Sequence, residues 1–227
     1  MYIIRYPIFC KGISGERFWV VSTQNPPGFD SLNPEPLNPE PLNLMNGHHL
    51  ILGELEDFIT AERLNDTHDE RCRQKIARLL VTHKGYQKAD IEPRRKLVVQ
   101  ADDRKAMVKV DFVISLSRRM CMIIKFGPGS IVTRRRPVLA ASRLLASYQI
   151  PVAVVTNGQD AEILDGLSGD ILSRGVATIP SRACLQKFAD DHHFKSISKK
   201  RAEIESRLVY CYEVDGSCPC DEDICIL

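Results

Sequence analysis

Three groups of residues in this chain are of types that could do chemistry. Asp111 lies within Lys109-Val110-Asp111-Phe112-Val113-Ile114, a run otherwise suited to a strand. An acid there needs either a ligand or a neighbouring Lys or Arg. Arg134-Arg135-Arg136 stands between the Gly127–Ser130 loop and Pro137. Guanidinium forks at a helix entrance, beside loop N–H groups, suit phosphate oxygens; a solvated basic turn is the alternative. Cys211, Cys218, Cys220 and Cys225 put four of the eight cysteines in the last 17 residues. Four thiolates are enough for a tetrahedral Zn²⁺ site, and His192 or His193 could replace one of them. Ordinary reduced thiols are the alternative, because Asp221-Glu222-Asp223 adds negative charge to the cluster and Cys211 stands beside Tyr210 and Tyr212 on a helix end.

The elements that position these groups follow from periodicity and punctuation. Leu52, Leu55, Phe58 and Ile59 fit one face of a short helix. A second helix starts at the cap Thr67, with Glu70 as capping-box partner, an apolar stripe of Cys72, Ile76, Leu79 and Leu80, and Gly85 past its end. Leu97–Val99, Met107–Ile114 and Met120–Phe126 read as strands, the last two joined by a tight turn. Strict alternation puts Val108, Val110, Phe112 and Ile114 on one face, with Lys109 and Asp111 on the other. On the next strand it separates Met122, Ile124 and Phe126 from Ile123 and Lys125. Pro137 starts a helix reaching Tyr148, Val152–Val155 is a buried strand, and residues 161–174 form a hairpin. Helices near Ser181–Asp191 and Ser198–Glu213 complete the chain.

With Thr67-His68-Asp69-Glu70-Arg71-Cys72-Arg73-Gln74 upstream and Val152–Gly158 downstream, the two strands and their Gly127-Pro128 loop resemble the N-terminal nuclease domain of type I restriction enzyme R subunits. That family belongs to the PD-(D/E)xK nucleases, and the resemblance covers about Asp66 to Asp165. It implies phosphodiester hydrolysis by Mg²⁺ held on acidic side chains, with a Lys orienting the attacking water. It implies Asp111 as the first catalytic acid and metal ligand, and Glu70 as the helix acid that can add a ligand. The family's second strand ends in Glu-x-Lys before Ala-Pro. Aligning that pair on Gly127-Pro128 leaves Ile124 and Phe126 in the Glu and Lys positions. Lys125 falls at the middle position, and only a bulge or a shifted register would return it to a catalytic role. The Gln-x-x-x-Tyr pattern of the following helix is also missing. Half of the catalytic set is present.

The fold this resemblance implies is α/β, a restriction-endonuclease-like mixed sheet: a three-strand meander, a crossover helix and a parallel strand, flanked by helices. Residues 1–44, with the tandem repeat Asn33-Pro-Glu-Pro-Leu37 and Asn38-Pro-Glu-Pro-Leu42, are expected to be a disordered Pro-rich extension, and Met45 is an alternative start. Residues 45–178 would form the nuclease-like domain and 179–227 the C-terminal helices and Cys-rich tail. No apolar run approaches the roughly 18 residues a membrane span needs, the start lacks the parts of a signal peptide, and a cytoplasmic protein is the expectation.

The net charge of +2 hides an asymmetry. Between Arg94 and Arg136 twelve Lys/Arg face three acids, a local +9, which leaves about −7 on the rest. Such a segment favours a phosphate-bearing partner, DNA or RNA. No Gly-x-x-x-x-Gly-Lys-Ser/Thr loop occurs, so the chain brings no ATP site of that type. The reading is therefore a nuclease-fold protein that binds nucleic acid with cleavage impaired or absent. One alternative is an active Mg²⁺-dependent endonuclease using Asp111, Glu70 and a displaced Lys125. Another is a non-catalytic interaction protein, with protein partners and a metal-binding cysteine tail.

Overall fold

Alternating apolar residues over 91–126 fold into a meander that forms one half of a sheet. The computed structural model describes residues 50–215 and 224–226. The Pro-rich repeat, Cys218 and Cys220 lie outside the described residues. Strands β3 (Ile91–Ala101), β4 (Arg104–Leu116) and β5 (Arg119–Phe126) pair antiparallel in turn. The β4–β5 turn places Ser117 and Arg118 at φ 50 and 63, the paired left-handed geometry that matches strand twist in a two-residue hairpin. Helix α2 (Arg135–Ser142) then returns the chain so that β6 (Val152–Thr156) lies parallel to β5. Strands β7 (Ala161–Asp165) and β8 (Ile171–Arg174) continue antiparallel, giving the order β3-β4-β5-β6-β7-β8. A short strand β9 (Ile224–Ile226) pairs with β4 at Ala106–Val108. This is the mixed α/β sheet expected from the sequence.

Helices cover both faces. Helices α1 (His68–Thr82) and α3 (Arg182–Asp191) bury Ile76, Leu80 and Leu185 against Phe112, Ile114, Met122, Ile124 and Val154. On the opposite face, α2 and α4 (Lys199–Glu213) bury Val138, Val209 and Tyr210 against Leu97, Val108, Val113, Ile123 and Ala153. Each of three helices starts where a hydroxyl residue precedes it: Thr67, Ser181 and Ser198 accept from the backbone N–H of Glu70, Cys184 and Arg201. No described helix is long and apolar enough to cross a membrane.

Two sequence expectations are corrected. The helix expected over Leu52–Ile59 is a hairpin of β1 (Glu54–Glu56) and β2 (Arg63–Asn65). The cause is Asp57, whose Oδ1 accepts the N–H groups of Ile59 and Thr60 at 2.7 and 2.8 Å and so closes a turn in place of a helical bond. Helix α2 stops at Ser142 and does not reach Tyr148. Arg143 caps it, its backbone N–H bonding the Ala140 carbonyl at 3.1 Å and its guanidinium donating to the carbonyls of Gly166 and Leu167 and to Glu205.

Candidate functional site

Asp111 stands where the sheet changes its alternation. Val108 and Val110 pack on the α4 side, but Phe112 and Ile114 pack on the α1 side. The expected single face for these four residues is therefore broken in two. The partner strand breaks at the same level, because Arg94 takes φ 53, a left-handed value that non-glycine residues seldom adopt. The ladder pairs Arg95 with Val110 and Pro93 with Phe112, on either side of this step. At the step the Asp111 carboxylate does what a backbone carbonyl would do, its Oδ2 accepting the Phe126 N–H at 2.8 Å. Its Oδ1 accepts Arg73 Nε at 2.5 Å. Both oxygens of this buried acid have protein donors. The Arg73 guanidinium also lies 3.5 Å from Glu70 Oε2 and stacks 5.6 Å from the centre of the Phe126 ring.

Glu70 reaches the same place from α1. The Thr67 hydroxyl accepts its N–H at 3.1 Å, so the cap is present. Its carboxylate does not complete the capping box; it turns inward, and Oε1 accepts Gln74 Nε2 at 2.8 Å. Gln74 also donates to Asp57 Oδ2 at 3.1 Å and accepts the Phe58 N–H at 2.7 Å. Asp57 in turn accepts Arg94 Nη1 at 2.6 Å, and that nitrogen lies 3.9 Å from Glu70 Oε1. Burial alone would raise the Asp57 pKa, but hydrogen bonds from Arg94, the Thr60 N–H and Gln74 overcome it and hold the acid at about 2. Three buried acids and two arginines thus form one hydrogen-bonded chain from the β1–β2 turn to Asp111.

Lys125 is on the other side of the sheet. Its Nζ donates to Glu213 Oε2 on α4 at 2.8 Å and to the Lys109 carbonyl at 3.0 Å. Burial would lower its pKa, but Glu213 and, further off, Asp111 raise it, so the ammonium stays protonated. No ion pair joins Lys125 to Asp111 among the described residues. Ile124 and Phe126 face α1 and are buried in its core, so the Glu and Lys positions of the inherited frame hold packed hydrophobic side chains. No three His, Cys, Asp or Glu side chains gather as a metal-sized group among the described residues.

The three consecutive arginines diverge. Arg134 folds over Gly127, where an added Cβ would come within 2.6 Å of its guanidinium carbon. Arg135 pairs with Glu162 on β7, which also takes Arg174. Arg136 lies 3.0 Å from Glu205 on α4. Of the tail thiols, Cys211 on α4 and Cys225 on β9 are free and exposed. Sequence reasoning missed Asp57, Arg94 and Glu205 altogether, and it gave Arg73 no partner. Spacing carried no signal for them, since Arg73 and Asp111 are 38 residues apart, and Asp57 and Arg94 are 37 apart.

A family model for the type I restriction enzyme R protein N terminus matches residues 68–180, from the first residue of α1 to the residue before the α3 cap Ser181. No curated protein and no solved structure matches the chain.

Proposed function

Since residues 68–180 belong to the type I restriction enzyme R protein N-terminal family, we propose that this chain is a nuclease-fold module that binds nucleic acid and cleaves it weakly or not at all. The observation that carries the second half is the state of Asp111, whose two oxygens are taken by Arg73 and the Phe126 N–H. A hydrolytic Mg²⁺ needs several free oxygen ligands and a base or Lys near its water. The described residues do not fit that requirement. Asp111 and Glu70 are both held by Arg73, and Ile124 and Phe126 supply no ligand or proton. An arginine bridging two acids also supplies in place the positive charge that a metal would bring.

The binding half is supported by the family and by the local +9 of residues 94–136. A cytoplasmic location accompanies it. The test is a plasmid-nicking assay with Mg²⁺ or Mn²⁺ beside gel-shift titration of the same DNA. The expected result is a salt-sensitive shift without nicking. Nicking that depends on metal and disappears in Asp111→Ala would establish the active-nuclease alternative and overturn this reading.

A further inference from the structure

Arg135 and Arg136 are tied to acids, and the first arginine of the run is in a different state. Arg134 is half-buried, and its guanidinium makes no hydrogen bond, ion pair or ring contact among the described residues. Every other described arginine that is buried or half-buried pairs with an acid. A guanidinium that has lost part of its water and gained no acceptor is costly to hold. The backbone is nevertheless shaped to hold it. Any side chain at Gly127 would meet it, since an added Cβ comes within 2.6 Å of its central carbon. Asn157 Nδ2, past the end of β6, donates to the Gly129 carbonyl at 3.1 Å and fixes the loop that follows. Gly129 and Ser130 are exposed there, and their N–H groups bond nothing among the described residues.

We infer that Arg134, cradled over Gly127, is the contact for a backbone phosphate of nucleic acid, and that Arg135 and Arg136 serve the fold instead. The inference rests on the nucleic-acid-binding reading above and names the arginine that carries it. Gly127 follows Phe126, whose N–H bonds Asp111, so the cation stands at the carboxyl end of β5, beside the candidate site. Ligands of open α/β sheets lie outside the carboxyl ends of parallel strands, and β5 and β6 are the parallel pair here. The described acids around it are committed elsewhere: Asp111 to Arg73, Glu162 to Arg135 and Arg174, Glu213 to Lys125. A phosphate offers the planar fork of a guanidinium two acceptors at once, which restores the bonds lost with water. Such a contact positions a nucleic acid without reading its sequence.

The test is fluorescence anisotropy of a labelled DNA duplex against the whole chain over a series of salt concentrations, with a thermal melt of each variant. Arg134→Gln should weaken binding about fivefold or more at low salt and reduce the slope of log affinity against log salt by about 0.9, the share of one phosphate. Gly127→Ala should displace the guanidinium and cost about as much, and the double variant should lose no more than either single one. The control Arg118→Gln removes the same charge from the exposed turn at the other end of β5 and should change neither quantity. If the unsubstituted chain binds no duplex, the functional reading fails and this inference with it. If it binds and Arg134→Gln matches it, the reading stands and this contact is wrong. An equal loss in Arg118→Gln would show that only net charge counts, which also overturns it. A lower melting temperature with unchanged binding would make Arg134 a partner of an acid within the chain. Displacement of the duplex by millimolar inorganic phosphate at constant ionic strength would reassign the site to free phosphate.

Discussion

The two faces of the sheet each carry a buried ionic network, and the two differ in what they join. On the α4 face, Glu205 is fully buried and takes Arg143, Arg201 and Arg136. Arg143 is itself 5% exposed and ties in the carbonyls of Gly166 and Leu167. This network links α2, α4 and the β7–β8 turn, all of them scaffold. On the α1 face, Asp57, Glu70 and Asp111 are shared between Arg94 and Arg73, at the level where β3 and β4 both break their alternation. Burying a charged group is costly in either place, but only the second pairs its cost with backbone strain, at Arg94. The strained network is the candidate site, and the unstrained one is a staple.

The contrast is tested most severely at Glu205. Glu205→Ala should destabilise the chain by about 3–5 kcal/mol in urea unfolding, because it leaves Arg143 buried without its anion. A loss under about 1 kcal/mol would show that the network is not a staple. Acid offers the next test, on the other face. Asp57 has a folded pKa of about 2 against an ordinary 3.8, so its contribution of about 2 kcal/mol is complete above about pH 4 and disappears as pH falls to about 2. Asp57→Asn should flatten that part of the stability profile; an unchanged acid slope would show that other groups carry it.

A smaller effect is expected from Asp111→Asn. An amide oxygen can still accept the Phe126 N–H, but the charged bond from Arg73 is lost, at a cost of about 1–2 kcal/mol. A stabilised variant would instead indicate that Asp111 is kept at the expense of folding, as functional acids often are. The weakest effect concerns the tail thiols. Cys211 and Cys225 are exposed and should react fast with a thiol reagent in the folded protein. Protection that a chelator removes would support zinc binding by the tail, as would one zinc per chain that is lost in Cys218→Ser with Cys220→Ser.

What could be read from the sequence divides along the same line. Thr67, Ser181 and Ser198 announced their helices, and the meander, crossover and parallel strand followed from local alternation and turn residues. The placement of Ile124 and Phe126 opposite to Lys125 also followed, since alternation holds through β5. Alternation failed at β3 and β4 because Arg94, a residue with no turn preference, adopts a left-handed conformation that its Asp57 partner stabilises. The helix expected near residue 55 failed for a related reason: an Asp side chain competed for the backbone. The candidate acids were visible by type. Their occupants were not, because Arg73, Gln74 and Arg94 reach acids that lie up to 38 residues away, and their choice of partner depends on tertiary approach.

If Arg73 holds Asp111 in place of a metal ion, titration with Mn²⁺ followed by electron paramagnetic resonance will show it directly. No stoichiometric site is expected in the unsubstituted chain near neutral pH, and free-ion signal should rise from the first addition. A single tight Mn²⁺ site that is lost in Asp111→Asn would contradict it.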